Sequence, residues 1–421
     1  MELLQRETLS PEDEIDIAEI IRQKSLMAYF QPIVSVTGRK TIGLEGLIRG
    51  IKPGTAEIIP PQLLFEKADD AGLTTELDRA CRDTVLQAFE PLLESDPELL
   101  LFLNLDTAII DGVGGSNYLN NQVNRSGIRA RNIVIEINES KALDALALLR
   151  FVATYKKYGY LIALDDVGAG FSNMDRVAEL KPDIIKIDRS IIERMDRIYH
   201  KQEVFKSLVN LSNKIGALII AEGVETECEA IQVLKLGGQV IQGFYFSRPM
   251  KEVVFSDELI QKTGTVVAEY KKRLLGELED YNQKCRNYTH TVDQMIAAIA
   301  TNEAPGFSGP LCHYVNDSQL IDCAYVLDEA GIQCSDTVGV KKTATSEKLV
   351  FHSAKIGVDH SIKNFYYNLI RRKQTSFITD PYVSMATGSL CITYSKVFRR
   401  ADKKYILCVD FLENRPPASA G

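Results

Sequence analysis

Short apolar runs alternate with longer stretches of helical periodicity between Met27 and Phe246. Runs that are apolar on both faces and separated by helices are typical of a parallel sheet covered by helices. Repeated β–α units over about 220 residues favour a TIM-type (β/α)8 barrel over an open sheet. The strand runs are 27–36, 99–106, 132–138, 161–168, 183–188, 217–224 and 239–246, and the helical stretches include 61–72, 142–159 and 189–216.

The segments on either side of this repeat have different patterns. Ser10 followed by Pro11 and several acids predicts a helix from about Pro11 to Gln23. Residues after about 251 keep apolar positions at helical spacing as far as TNEAPGFSGP (301–310), which predicts a long helix or a helical pair. Beyond it, strand runs at 322–332, 347–352, 389–398 and 404–412, with a helix near 361–373, indicate an α+β domain with an antiparallel sheet.

These patterns divide the chain into five parts. We expect a helical lead-in over 1–26, a barrel over 27–250, a helical linker over 251–304, a smaller α+β domain over 305–414 and a frayed tail over 415–421.

Composition narrows the function classes. The 421 residues carry a net charge of −8, and this sign argues against a nucleic-acid polymer as partner. No apolar run approaches the length of a membrane span, and the N-terminus lacks the pattern of a signal peptide. Eight cysteines without a C-x-x-C pair fit reduced thiols, so we expect a cytoplasmic protein.

Polar residues recur at the C-terminal ends of the predicted strands. An isolated acid there is usually a helix cap or a solvated loop residue, but several at corresponding places would converge on one face of a barrel. Crowded carboxylates need compensating cations, and oxygen ligands favour Mg²⁺ or Mn²⁺. The residues are Asn104, Glu136, Asp165, Asp166, Lys186, Glu222 and Gln242, with Glu45 near the first strand.

Two such ions about 3.5–4 Å apart suit the hydrolysis of a phosphoester. Lys186 would supply a cation beside the attacking water or the phosphoryl oxygens, and Arg49 could hold a second phosphate. The residue types therefore point to metal-dependent phosphoester chemistry, without naming the substrate.

The same residues resemble those of the EAL domain, a barrel phosphodiesterase that cleaves the bacterial second messenger cyclic di-GMP. The resemblance runs from about Tyr29 to Pro249 and consists of seven motifs in family order. It implies hydrolysis of one phosphodiester to give linear pGpG, with two Mg²⁺ or Mn²⁺ ions. The motifs are FQPIVSVTGRKTIGLEGLIRG, FLNLD, IEINES, ALDDVGAGFSNMDRV, LKPDIIKIDRSII, AEGVE and IQGFYFSRPM.

The resemblance also implies roles for single residues. Lys186 corresponds to the catalytic lysine that positions the water, and Glu222 to a general base or a further metal ligand. Arg49 corresponds to a phosphate contact, and Gln31 and Gln242 to residues that line the nucleotide pocket. The implied metal ligands are Glu45, Asn104, Glu136, Asp165 and Asp166, and the residues implied in coupling the active site to a dimer interface are Glu139 and Glu225 with the DDVGAG loop.

Several positions depart from the family pattern without removing a metal ligand. Gly46 stands where Ala is usual, and Gly50 replaces the usual Trp after Arg49. In the loop region, Asn138 stands for Thr, Val167 for Phe and Ala169 for Thr. These changes bear on the loop after Asp166.

The C-terminal segment resembles a Cache or PAS-like sensor domain. The resembling parts are AYVLDEAGIQCSDTV, GVDHSIKNFYYNLI, FITDPYVSMATGSLCITYSKVF and KYILCVDF. Such domains enclose a small ligand, which implies an unidentified ligand here, and the candidate pocket residues are Asp359, Lys363, Tyr366 and Tyr382. The alternative is that both tyrosines are core aromatics and Lys363 is solvated.

The resulting hypothesis is a cyclic di-GMP phosphodiesterase regulated by a C-terminal sensor, and expected to be a homodimer from the family resemblance and the long connector. A second hypothesis is a catalytically quiet cyclic di-GMP receptor that signals through the linker to a partner. A third is a purely structural barrel without nucleotide affinity.

Overall fold

The computed structural model describes residues 15–55, 57–105, 117–138, 145–169, 174–254, 257–302, 306–339 and 352–413. The chain divides into two compact units, Met1–Leu274 and Leu275–Gly421. The predicted helix start at Pro11, most of the predicted strand at 347–352 and the predicted tail lie outside the described residues.

In the first unit, eight strands close into a barrel, which confirms the TIM-type fold. Going round, the order is β1, β2, β4, β5, β6, β7, β8 and β9, and β9 pairs with β1 again. The strands are β1 (Leu26–Ser35), β2 (Lys40–Ile51), β4 (Leu100–Leu105), β5 (Ile133–Asn138), β6 (Leu161–Val167), β7 (Ile184–Ile187), β8 (Leu218–Ala221) and β9 (Val240–Gln242); the short β3 (Ile58–Ile59) adds to β2 outside the ring.

One strand departs from the expected all-parallel arrangement. Within the ring, the pairs that join β2, β4, β5, β6, β7, β8 and β9 in turn are parallel, but β1 runs antiparallel to both β2 and β9. The β1–β2 hairpin places Gln31 opposite Glu45, and the β1–β9 pairing places Ile33 opposite Gln242. Gln31 therefore lies at the same end of the barrel as the C-terminal ends of the parallel strands.

The helices of the first unit follow the β–α pattern. They are α1 (Ile17–Gln23), α2 (Pro61–Asp70), α3 (Thr74–Phe89), α4 (Tyr118–Ser126), α5 (Ala145–Lys157), α6 (Met174–Leu180), α7 (Arg189–Ile192), α8 (Tyr199–Ile215) and α9 (Glu227–Lys235). Within the described residues, α1 begins only at Ile17, because the side chain of Asp16 accepts a hydrogen bond from the Glu19 backbone N–H and caps the helix.

The prediction of one helix over 189–216 is wrong, because the chain breaks between α7 and α8. Arg194 has a left-handed backbone, with φ of 57°. Its N–H donates to the carboxylate of Glu229 at 2.9 Å, and the same carboxylate accepts from the N–H groups of Glu225 and Thr226. A buried acid on a later helix therefore stabilises the break.

The barrel interior consists of an apolar layer followed by a polar layer. The apolar layer contains Ile33, Phe102, Val134, Ala163, Ile184, Ile220 and Val240. Because side chains alternate along a strand, the residue two positions away lies on the same face. Two residues beyond this layer on the parallel strands lie Asn104, Glu136, Asp165, Lys186, Glu222 and Gln242, and Gln31 lies two residues before Ile33 on the reversed β1.

A single continuous helix, α10 (Asp257–Thr301), contains the boundary between the two units. Leu259 and Val266 belong to the core of the first unit, whereas Val292 and Met295 belong to a core in the second. The sequence left one helix or a helical pair open, and the structure has one helix. No helix in the described part of the chain is both long enough and apolar enough to cross a membrane.

The second unit is an α+β fold with an antiparallel sheet, as predicted. Its strands pair in the order β11, β10, β15, β14 and β12, with β13 also on β14. The bounds are β10 (Ile321–Asp328), β11 (Val338–Gly339), β12 (Ser376–Ile378), β13 (Tyr382–Val383), β14 (Leu390–Arg400) and β15 (Lys403–Leu412), with helices α11 (Ser308–Asp317) and α12 (Asn364–Ile370). The helix predicted near 361–373 is thus shorter, at seven residues.

Candidate active site

Lys186 lies at the centre of the polar layer, on β7, and only 1% of its surface is exposed. Its ammonium forms ion pairs with Glu136 and, at 2.6 Å, with Glu222 Oε1. It lies 3.1 Å from Asp165 Oδ1 and 3.9 Å from Glu45 Oε2. Four carboxylates from four other strands or strand ends therefore surround one buried cation.

A second group of polar side chains extends this cluster to the closing strands of the barrel. The Gln242 amide donates to Glu45 Oε2 and, at 3.2 Å, to Gln31 Oε1. The Gln31 amide donates in turn to the Ser247 carbonyl at 3.1 Å, and Asn104 donates to Glu45 Oε1 at 3.1 Å. These bonds fix the orientation of Glu45.

Asp165 and Asp166 occupy the end of β6, where the backbone changes direction. Asp166 has a left-handed backbone, with φ of 56°, and the N–H of Ala169 donates to its carbonyl at 3.0 Å. The side-chain amide of Asn138 donates to the Asp166 carboxylate. One oxygen from each of Asp165, Asp166 and Glu222 lies within 4.8 Å of the others.

Burial and crowding change the acidity of this cluster. Burial would lower the pKa of Lys186, but Glu136, Glu222 and the other nearby carboxylates raise it well above its usual value. Burial also raises the pKa of Glu136 well above its usual range, against the lowering effect of Lys186. The pKa of Glu222 is raised to about 8, mainly by burial and, in spite of Lys186, further by Asp165 and Glu45.

The donor set fits a divalent cation. Glu136 is buried, and its carboxylate accepts no hydrogen bond from the described residues beside its ion pair with Lys186; the buried Oδ1 of Asp165 likewise has only the Lys186 ammonium, at 3.1 Å, as a partner among them. Carboxylate and amide oxygens are hard ligands, and no histidine or cysteine lies among these residues. The residues that would hold the ions are Glu45, Asn104, Glu136, Asp165 and Asp166, and Glu222 lies close enough to Asp165 and Asp166 to be a further ligand.

A cavity of about 310 Å³ opens onto this cluster. It is lined by Gln31, Glu45, Asp165, Asp166, Lys186, Glu222, Glu225 and Gln242, together with residues that the sequence analysis did not single out, notably Arg189 and Phe244. Arg189 forms an ion pair with Glu225 at 2.8 Å. Arg189 follows directly after the strand run DIIKID, and this position at a strand end was the signal that could have identified it as a site residue.

Two further candidate residues are placed less directly. Arg49 lies on the same face of β2 as Glu45, but it is not among the residues that line this cavity. Its guanidinium donates to the Ile48 carbonyl at 2.8 Å and lies 5.6 Å from the ring centre of Tyr29. Burial lowers the pKa of Arg49. Glu139 lies outside the described residues.

The structure explains two departures from the family pattern. A Cβ on Gly46 would lie 2.4 Å from Cγ1 of Val85, so α3 packs against β2 where an Ala methyl would otherwise sit. A Cβ on Gly50 would lie 3.1 Å from atoms of Ile59 and Leu64, which leaves no space for an indole in this conformation. Val167 is fully buried in the barrel core.

In the second unit, a cavity of about 500 Å³ lies beside the antiparallel sheet. Lys363 and Tyr382 line it, whereas Asp359 and Tyr366 are not among its lining residues. Asp359 accepts a hydrogen bond from the Ser361 N–H at 2.7 Å, and Tyr366 donates to the Glu329 carbonyl at 3.1 Å. The lining residues that the sequence analysis did not single out include His360 and Asp410.

The barrel has eight strands, and carboxylate and amide groups cluster around a buried lysine at its strand ends. These features define a protein of the TIM-barrel class with a polar site in the usual position. The chain belongs to the EAL-domain family, whose sequence profile matches residues 14–249.

Similar proteins extend this result. The chain is 26% identical over 393 residues to YkuI of Bacillus subtilis, an uncharacterized EAL-domain containing protein, and the match covers 91% of this chain and 93% of that protein. A crystal structure of YkuI in complex with its substrate c-di-GMP and calcium matches with a TM-score of 0.81 and 25% identity over 96% of this chain and 100% of that chain.

Other relatives match just over half of the chain. MucR of Pseudomonas aeruginosa, a bifunctional diguanylate cyclase and cyclic di-GMP phosphodiesterase, is 29% identical over 56% of this chain, and the match spans 34% of that protein. A structure of the MucR phosphodiesterase in complex with c-di-GMP has a TM-score of 0.51 and 26% identity, covering 56% of this chain and 97% of that chain.

Proposed function

We propose that this protein is a phosphodiesterase that hydrolyses cyclic di-GMP to linear pGpG. The observation that carries the proposal is Lys186 held among Glu136, Asp165, Glu222 and Glu45 at the open end of the barrel. Relatives described as binding or cleaving cyclic di-GMP support the choice of substrate.

The reaction adds one water across one P–O bond of the cyclic dinucleotide. Lys186 orients the attacking water and stabilises negative charge on the phosphoryl oxygens. Glu222, beside Lys186 and with a raised pKa, accepts the proton of that water. Two divalent cations, Mg²⁺ or Mn²⁺, held by Glu45, Asn104, Glu136, Asp165 and Asp166, would lower the pKa of the water and neutralise the phosphate.

The remaining residues bind the substrate. Gln31 and Gln242 line the cavity and offer amide groups to a nucleotide base, and Arg49 contacts a phosphate after its guanidinium turns from the Ile48 carbonyl. Glu225, which pairs with Arg189 at the rim of the cavity, couples the site to a dimer interface together with Glu139.

The wider organisation is part of the same proposal. The barrel over 27–250 is followed by a linker over 251–304 and a Cache/PAS-like sensor over 305–414 that regulates turnover. The α+β fold and the 500 Å³ cavity support a sensor role. The protein acts as a homodimer in the cytoplasm, where its eight cysteines, all free, stay reduced.

The test incubates the full chain with cyclic di-GMP and Mg²⁺ or Mn²⁺ and follows pGpG by chromatography, with nucleotide binding measured in parallel in Ca²⁺. We expect pGpG from the wild type and none from Glu222→Gln. Tight binding of cyclic di-GMP without formation of pGpG would support the receptor hypothesis in place of the enzyme hypothesis. The absence of both binding and product would contradict both hypotheses. Light scattering of the same sample tests the homodimer.

A further inference from the structure

The cavity of the second unit has the size of a small-molecule site. Its volume of about 500 Å³ lies within the range of roughly 300–1,000 Å³ that is usual for ligand pockets. Aromatic side chains, including Tyr325, Phe365 and Phe377, contribute to its wall, and His360, Lys363 and Asp410 are its potentially charged groups beside the exposed Asp380 and His352.

His360, one of the residues that line the cavity, has a hydrogen-bond acceptor that no described residue uses. Its ring is buried, with Nε2 at 2.9 Å from Gln333 Oε1. The Gln333 amide donates to the Ser335 carbonyl and to Thr337 Oγ1, which fixes Oε1 as the acceptor toward His360. Nε2 of His360 therefore carries the proton. Nδ1 is left as a buried acceptor without a partner among the described residues.

The charge state of His360 agrees with this geometry. Burial, and next the nearby Lys363, lower the pKa of His360 below its usual value. The imidazole is therefore neutral near pH 7, and Nδ1 keeps its lone pair. The ring stacks on Tyr325, with ring centres 5.1 Å apart.

Asp410 is the second unusual group in the wall. It is 2% exposed and accepts hydrogen bonds from the hydroxyl groups of Thr393, Tyr382 and Ser384 and from the thiols of Cys323 and Cys391. All of these donors are neutral, and no lysine, arginine or histidine in the described part of the chain forms an ion pair with it. Burial raises the pKa of Asp410.

A second buried acid makes the deficit of positive charge larger. Asp322 is 5% exposed, accepts a hydrogen bond from Thr387 and does not line the cavity. A buried carboxylate without a cation is costly, and a cation that entered the cavity would recover part of that cost.

We propose that this cavity binds a small organic molecule that carries a protonated primary amine, with the ammonium against the Asp410 carboxylate and a ligand N–H donating to Nδ1 of His360. An apolar body of the ligand packs on Tyr325 and the neighbouring aromatic rings. The proposal gives the chemistry of the ligand for the sensor role proposed above, but binding is measured without turnover. Failure of binding and failure of hydrolysis are therefore separate results.

The test compares leucinamide, which carries an ammonium and an amide, with 4-methylpentanamide, which differs only by lacking the amine. Binding to the full chain is measured by calorimetry. We expect leucinamide to bind and the control amide to bind at least roughly 30-fold more weakly, because the charge pair with Asp410 is lost. Equal binding of the two amides, or no binding of leucinamide, overturns the proposal.

Two variants and one spectrum locate the site. Asp410→Asn should lose the preference for the amine, whereas Asp322→Asn, which removes the other buried acid outside the cavity, should keep it. Leucinamide should also shift the ¹⁵N resonance of His360 Nδ1, identified by its absence in His360→Gln. An unchanged Nδ1 resonance, or a full amine preference in Asp410→Asn, contradicts the assignment.

Discussion

The ammonium of Lys186 lies 2.6 Å from Oε1 of Glu222, and the lysine is almost completely buried whereas the glutamate side chain stays partly exposed. In this position a single positive charge lies beside four carboxyl groups. The catalytic role proposed for Lys186 and the stability of the strand ends therefore depend on the same atom.

We expect Lys186→Met to lower the rate of cyclic di-GMP hydrolysis by roughly 100- to 1,000-fold, because the transition state loses its fixed cation. In the absence of metal the variant should also melt at a lower temperature, since the carboxylates repel one another. Addition of Mn²⁺ should raise its melting temperature more than that of the wild type.

The matched control is Lys156→Met, which removes an ion pair with Asp183 on the outer part of the barrel, 3.1 Å long and partly exposed. This variant should keep the wild-type rate and the wild-type response to Mn²⁺. Comparable rates in the two variants would remove Lys186 from the mechanism.

Gly46 and Val85 form a size-matched pair. Gly46→Ala should lower the free energy of unfolding by about 1–3 kcal/mol, because the new methyl group overlaps Cγ1 of Val85. The double variant Gly46→Ala with Val85→Ala should be more stable than the sum of the two single effects predicts. Urea unfolding of the four proteins measures this coupling, and strictly additive effects would show that the two residues do not compete for the same space.

Asn138 holds the carboxylate of Asp166, whose backbone is in the left-handed region. Asn138→Ala should weaken divalent-cation affinity or activity by about 10- to 100-fold, as is usual when the partner of a metal ligand is removed. Calorimetry with Mn²⁺ and the hydrolysis assay measure the effect, and Asn138→Thr should restore part of it.

A suitable comparison is Asn132→Ala. Asn132 is buried, whereas Asn138 is only partly buried, and it donates to the carbonyls of Pro97 and Leu99 at the opposite end of β5 from Asn138. This variant should lose stability but keep its affinity for Mn²⁺. An equal loss of affinity in both variants would mean that the Asn138 effect is only structural.

The sequence was sufficient to predict the fold class and the residues that form the polar cluster around Lys186. Side-chain alternation places Glu136, Asp165 and Glu222 on one face of their strands, and a barrel brings those faces together. The direction of β1 was not predictable in the same way, since an apolar run has the same pattern in either direction and one of its two partners, β9, is distant in sequence. The break at Arg194 depends on Glu229, 35 residues later.

The cavity of the second unit also contains residues that could not be identified from the sequence. Lys363 and Tyr382 were singled out from the sequence, but His360 and Asp410 were not. Their importance comes from burial and from the partners of each polar atom, and both depend on how β15 and the segment before α12 come together. A histidine without metal spacing and a single acid within an apolar run gave no signal.

The lowered pKa of His360 predicts a pH-dependent stability for the second unit. Because the folded state holds the imidazole below its unfolded pKa of about 6.5, its contribution is complete above that value and is lost as pH falls through the folded pKa. Thermal unfolding from about pH 7.5 to about pH 5 should therefore show a smaller fall in melting temperature for His360→Gln than for the wild type. Parallel curves would assign the pH dependence to other groups.

The reversed direction of β1 also provides a site for attaching a label away from the substrate cavity. Because β1 ends and β2 begins at the opposite end of the barrel from the polar cluster, the turn between Ser35 and Lys40 is remote from the substrate cavity. Thr37 and Arg39 in this turn are exposed. A fluorescent dye or a surface tether attached there would report on the protein while leaving the entrance to the cavity open.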